Sequence, residues 1–252
     1  MTSRAFVFAV LFPTLALGAP SASAQSDTEH VTRTVKLDPG GTLRLRNFSG
    51  RVTITASDRA EVVVDAVRTA PRGRLDRVKL DVHTEGSTVI VDANQREASW
   101  FRSRDNVVRT DFDIKVPRRT NLDVRVFSSP VDVKGVEGSH NIHGFSSDLH
   151  LDDVAGPVQV HTFSGEVTIR AKSWQPNQTI DVDTFSGSID LHVPESARGS
   201  LNFRSFSGHL TSHMPLTLRT ASRKTLDGTL GGDPSGGSLR FKTFSGNVRI
   251  DR

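Results

Sequence analysis

Apolar residues along this chain recur at every second position, in short runs. Val158-x-Val160-x-Thr162, Ile180-x-Val182-x-Thr184, Leu201-x-Phe203-x-Ser205 and Leu239-x-Phe241-x-Thr243 are four such runs. Each is followed by Phe-Ser-Gly, and in three of them a second alternating run comes next: Val167-x-Ile169, Ile189-x-Leu191-x-Val193 and Val248-x-Ile250. A period of two places successive side chains on opposite faces, so these runs predict half-buried β-strands and no helix. Longer strands are expected earlier, at 61–67, 78–84, 87–93 and 107–116, with Glu85-Gly86 as a hairpin-like turn.

The joint between paired runs is one phrase written seven times. Its phenylalanines are Phe48, Phe127, Phe145, Phe163, Phe185, Phe206 and Phe244. From Phe127 onward the steps are 18, 18, 22, 21 and 38 residues. Two strands of about six residues and two turns of about three make one coil of that length. Coils stacked at about 4.8 Å give an all-β fold, a β-solenoid in which like residues lie over like. In this reading the phrase is the corner of each rung. Phe fills the corner from inside, the seven rings forming an internal column, and Gly supplies a backbone angle that other residues resist. A rival geometry treats Phe-Ser-Gly as a hairpin loop in an antiparallel sandwich. Ser129 and Ser147 stand in place of Gly in two copies, which argues against a strict need for positive φ.

Residues 25–118 are expected to cap the repeats of 119–252 as one continuous domain, since terminal repeats are atypical. The Gly- and Pro-rich stretch 213–238 reads as a loop. The last repeat ends at Ile250-Asp251-Arg252 and is expected to leave an exposed strand edge, open to edge-to-edge self-association.

Residues 1–24 read as a secretory signal peptide. Arg4 is followed by an apolar run from Ala5 to Leu17, broken by Pro13, and Ala22-Ser23-Ala24 is a small-x-small cleavage pattern. Beyond it no segment is long and apolar enough to span a bilayer as a helix. The chain has no cysteine, so neither a disulfide nor a thiol-linked lipid is available. The expected location is periplasmic or secreted. A formal net charge of +4 with interspersed signs does not make a nucleic-acid surface.

The residues hold few candidates for chemistry. The phrase serines recur, whereas a nucleophile is singular and paired with a base. His140, His143, His150 and His161 fall close together and are weak metal candidates, because tetrahedral zinc spacing is absent. Carboxylates such as Asp148, Asp152, Asp181 and Asp183 alternate with basic residues as on a solvated face. A polysaccharide lyase or hydrolase on this scaffold is the least favoured reading. The stretch around Trp100, Phe101, Arg102 and Arg104 mixes aromatics with cations and is a candidate partner-binding loop for an acidic glycan or a lipid surface. Its bland alternative is a plug over the solenoid end. No catalytic residue and no cofactor is expected.

The phrases as a set resemble the bacterial putative-adhesin β-strand-repeat family, the toastrack domain. Asn47-Phe48-Ser49-Gly50-Arg51-Val52-Thr53-Ile54, the lead-in Phe112 to Pro117, and Gly228-Thr229-Leu230-Gly231 carry the resemblance. It implies a β-solenoid on exported or envelope-associated proteins without assigned catalytic residues. The expected function is a non-enzymatic interaction surface at the cell envelope, facing an envelope protein, a glycan or a lipid surface.

Overall fold

The computed structural model describes residues 26–71, 73–96, 107–222 and 224–252. Among the described residues every regular element is a strand, and the strands form two long sheets of eleven and ten members. Each rung contributes one strand to a front sheet before its phrase and one to a back sheet after it. The Phe163 rung, for example, runs Val158–Ser164 in front and Val167–Ala171 behind. Neighbouring rungs pair in parallel and in register, Val158 with Ile180, Val160 with Val182 and Thr162 with Thr184. The fold is a β-solenoid, and the phrase is its corner.

Register turns the alternation into columns. Leu43, Leu122, His140, Val158, Ile180, Leu239 and Leu201 occupy one interior column of the front sheet. Val52, Val131, Leu149, Val167, Ile189 and Val248 face them from the back sheet, all fully buried. Each such side chain contributes roughly 1.5–3 kcal/mol by leaving water.

The spatial order of the rungs departs from their order in the chain. The Phe244 rung, Gly237–Ser245 and Val248–Asp251, lies between the Phe185 and Phe206 rungs. The expected free edge at the C-terminus is therefore corrected: Val248–Asp251 is paired on both sides. The sheet edges at this end are the short strand Leu210–Ser212 and the strand Leu216–Ala221. The stretch expected as a loop contains two antiparallel strands, Leu216–Ala221 and Thr225–Leu230, which extend the front sheet beyond the Phe206 rung. At the other end, Thr88–Arg96 and Arg109–Pro117 stack on the Phe48 rung as a further rung without the phrase. Antiparallel strands Ser26–Lys36, Glu61–Pro71 and Val78–Glu85 continue the two sheets outward from it.

Glycine at the corner has a reason beyond backbone angle. Only Gly50 and Gly165 of the phrase glycines have positive φ. At Gly187 a Cβ would lie 2.0 Å from the carbonyl oxygen of Gly165, at Gly246 2.0 Å from that of Gly187, and at Gly208 2.0 Å from that of Gly246. The rungs touch backbone to backbone here, and any side chain would push them apart. Gly187→Ala is expected to lower stability by about 2–3 kcal/mol, as overpacking does, read from its urea midpoint. An unchanged midpoint would mean that the corner has slack.

Candidate functional site: an exposed phenylalanine ridge with a cationic flank

Strand alternation decides where the phrase rings point. In Val158-x-Val160-x-Thr162-Phe163 the inward positions end at Thr162, which is buried, so Phe163 faces outward. The ring is exposed in every copy. Thr162, Thr184, Thr243 and Ser205 form an interior column, while the seven phenylalanines stand outside with 40 to 58% of their surface exposed. The expected internal column is corrected accordingly. The rings are still stacked, in the spatial order Phe48, Phe127, Phe145, Phe163, Phe185, Phe244, Phe206. Centroids lie 4.6–5.0 Å apart and planes differ by 1–9°. In-register parallel pairing imposes this spacing on identical side chains.

Two residues before each ring stands the next outward position of the front sheet: Arg46, Arg125, His143, His161, Asp183, Lys242 and Arg204. This column is cationic at both ends and holds two histidines and one acid in the middle. Asp183 takes a 2.9 Å ion pair from Lys242, and Arg125 meets Asp123 at 3.4 Å. His143 and His161 stack at 5.2 Å. Partial burial, followed by the neighbouring His161 and Arg125, holds the His143 imidazole below its usual pKa.

Between ridge and column runs a shallow trough. One segment of about 560 Å³ is walled by Phe163, Phe185 and Phe244 against His143, His161, Asp183 and Lys242. A second of about 370 Å³ is walled by Phe48, Phe127 and Phe145 against Arg46, Arg125 and His143, with Asp92 and Asn94 at its end. At the opposite end the Lys224 ammonium sits 4.4 Å from the Phe206 ring centroid, a cation–π lid on the stack.

The four candidate histidines are not brought together. His143 and His161 are outward on the front sheet, and His150 is on the back sheet. His140 is buried in an interior column, and desolvation lowers its pKa to about 4. Among the described residues no three His, Asp or Glu side chains group as metal ligands would. Trp100, Phe101, Arg102 and Arg104 lie outside the described residues, as does the 1–24 leader. The ridge was missed as a surface because its residues are the most hydrophobic of the repeat. The signal that places it outside is the count of two from the last inward Thr or Val.

Among solved structures, the chain is similar to a "putative cell adhesion protein" of Clostridium sporogenes at 10% identity and a TM-score of 0.48, covering 88% of this chain and 99% of that one. A "putative adhesin" of Bacteroides fragilis matches at 13% identity and 0.38, over 88% and 97% of the two chains. A "putative lipid binding protein" of Parabacteroides distasonis matches at 13% and 0.37, over 89% and 97%. No curated protein matches the chain. The Toastrack family model matches residues 136–251, the segment that carries five of the seven phrases. With its in-register β rungs and the phrase at every corner, this segment belongs to the toastrack family.

Proposed function

We propose that the chain is a non-enzymatic, exported β-solenoid whose working surface is the phenylalanine ridge, presented to a component of the cell envelope. The observation that carries the reading is the contiguous, half-exposed stack of seven rings. Contiguous apolar patches on soluble proteins are seldom larger than a few hundred Å² and mark interaction sites when they are. A row of aromatic rings left in water is an aggregation liability, which a protein keeps where the surface is used. The flanking Arg46, Arg125, Arg204 and Lys242 give that surface a preference for anionic partners. The leader pattern at residues 1–24 supports export.

The test is binding of the purified mature chain to washed envelope fractions, compared with Phe145→Ser/Phe163→Ser/Phe185→Ser. The triple variant is expected to bind at least about tenfold more weakly, because the three rings in the middle of the ridge are gone. Equal binding by both proteins would remove the ridge as the working surface.

A further inference from the structure

Resting on that reading, we propose that the ridge docks lengthwise on the surface of an anionic lipid bilayer. The rings enter the boundary between headgroups and acyl chains, and Arg46, Arg125, Arg204 and Lys242 reach the phosphates.

Three features of the site lead to this occupant. The first is straightness. Strands in open sheets are usually rotated by about 20° from one neighbour to the next, which would lift most of a ridge away from any flat surface. Here successive ring centroids lie 4.6–5.0 Å apart, close to the rung spacing of about 4.8 Å, so each ring is displaced little sideways from the last over a stack of about 29 Å. All seven rings can meet one plane at once.

The second is the way the rings are used. Each inner ring has both faces covered by its neighbours at 4.6–5.0 Å, so only ring edges face outward. A sugar or a base that binds by lying on an aromatic face finds no platform. A hydrocarbon boundary needs apolar contact alone, as amphipathic surface elements show.

The third is charge. The outward column beside the ridge stands about 7 Å away along the strands and carries four long cationic side chains. Their stems can lie along the rings while the charged heads stay at headgroup level. Each cation near an anionic surface favours binding. Three of the four face an acid, Arg46 meeting Asp92 at 3.9 Å, Arg125 meeting Asp123 at 3.4 Å and Lys242 meeting Asp183 at 2.9 Å; these are half-exposed pairs of small strength, which lipid phosphates can replace. On the ridge's other flank stand Asp148 and Glu166. The Asp148 carboxylate accepts the Glu166 backbone N–H at 3.0 Å, which ties it down along the corner. The cationic side therefore sets the tilt with which the solenoid rests.

The experiment is flotation of the mature chain with phosphatidylcholine vesicles, with and without phosphatidylglycerol, at low and physiological salt. The unsubstituted protein is expected to float with phosphatidylglycerol vesicles and to be weakened by salt. Phe145→Ser/Phe163→Ser/Phe185→Ser should reduce partitioning at least about tenfold. Arg125→Gln/Arg204→Gln/Lys242→Gln should lose the preference for anionic vesicles while keeping the circular dichroism spectrum of the parent. Should the triple serine variant not fold, Phe163→Ser alone with the charge variant decides the matter.

Failure of the unsubstituted chain to float, or equal flotation of the ridge variants, would overturn the proposal. So would sedimentation showing a dimer that the serine substitutions convert to monomer, which would make a second copy the occupant. If envelope fractions still bind through the ridge while pure lipid vesicles do not, the ridge remains the working surface and the bilayer is ruled out.

Discussion

Phe241→Ala is expected to lower stability by about 3–5 kcal/mol, the usual cost of deleting a buried aromatic ring. Phe241 is fully buried and sits in register between Val182 and Phe203, so its loss leaves a cavity that two adjoining rungs cannot close. Phe185→Ala, three residues from Val182 and 46% exposed, should cost only about 1–2 kcal/mol. It gives up two ring contacts and part of its buried area. Urea denaturation of the two variants side by side checks this. Similar large losses at both positions would place the phrase rings inside the rungs. Similar small losses would mean that Phe241 is not a core residue.

Acidification should destabilise the solenoid in a window that belongs chiefly to His140. The ring lies in the interior column between Leu122 and Val158, bonded through Nε2 to the Ala155 carbonyl at 3.4 Å. Desolvation holds its folded pKa at about 4, against 6.5 when unfolded. Between those values the unfolded chain binds the extra proton. The contribution is therefore intact above pH 6.5 and is lost as pH falls towards 4: about 2 kcal/mol by pH 5 and about 3 kcal/mol by pH 4. His143, also lowered, adds in the same direction. Asp111, Asp233 and Asp251, whose pKa values are depressed below 3.8, act with the same sign but only at lower pH. His140→Leu, matching its column neighbours, should flatten the stability profile between pH 4 and 6.5. A variant with the parent's slope would show that the proton goes elsewhere.

Much of this architecture is legible in the residues. Alternation marks the strands, the phrase spacing sets the rung length, and repeated side chains require in-register stacking. The ridge's orientation was also encoded, since Thr162 and Phe163 are adjacent and cannot share a face. The reading that buried the rings followed their hydrophobicity instead of their position. Rung order was not legible, for a physical reason. Each rung presents nearly the same columns, so the Phe244 rung fits against either the Phe185 or the Phe206 rung equally well. In the order adopted, the rungs approach closely at the second corner. A Cβ on Gly237 would lie 2.8 Å from the Gln178 carbonyl oxygen, and one on Gly199 would lie 2.4 Å from that of Gly237. Glycines in a Gly-Pro stretch read as loop residues from sequence alone. The charged trough was hidden because its cations are far apart in the chain and meet only through the stacking.

Thiol reactivity tests the outward ridge most directly, because the chain has no cysteine of its own and one introduced thiol reports alone. In the folded protein Phe185→Cys should react with a maleimide at nearly the rate of an unfolded thiol. Val182→Cys, at a fully buried position of the same strand, should react about a hundredfold more slowly or less, through opening of the fold. Protection of residue 185 equal to that of residue 182 would contradict the ridge and the binding surface built on it.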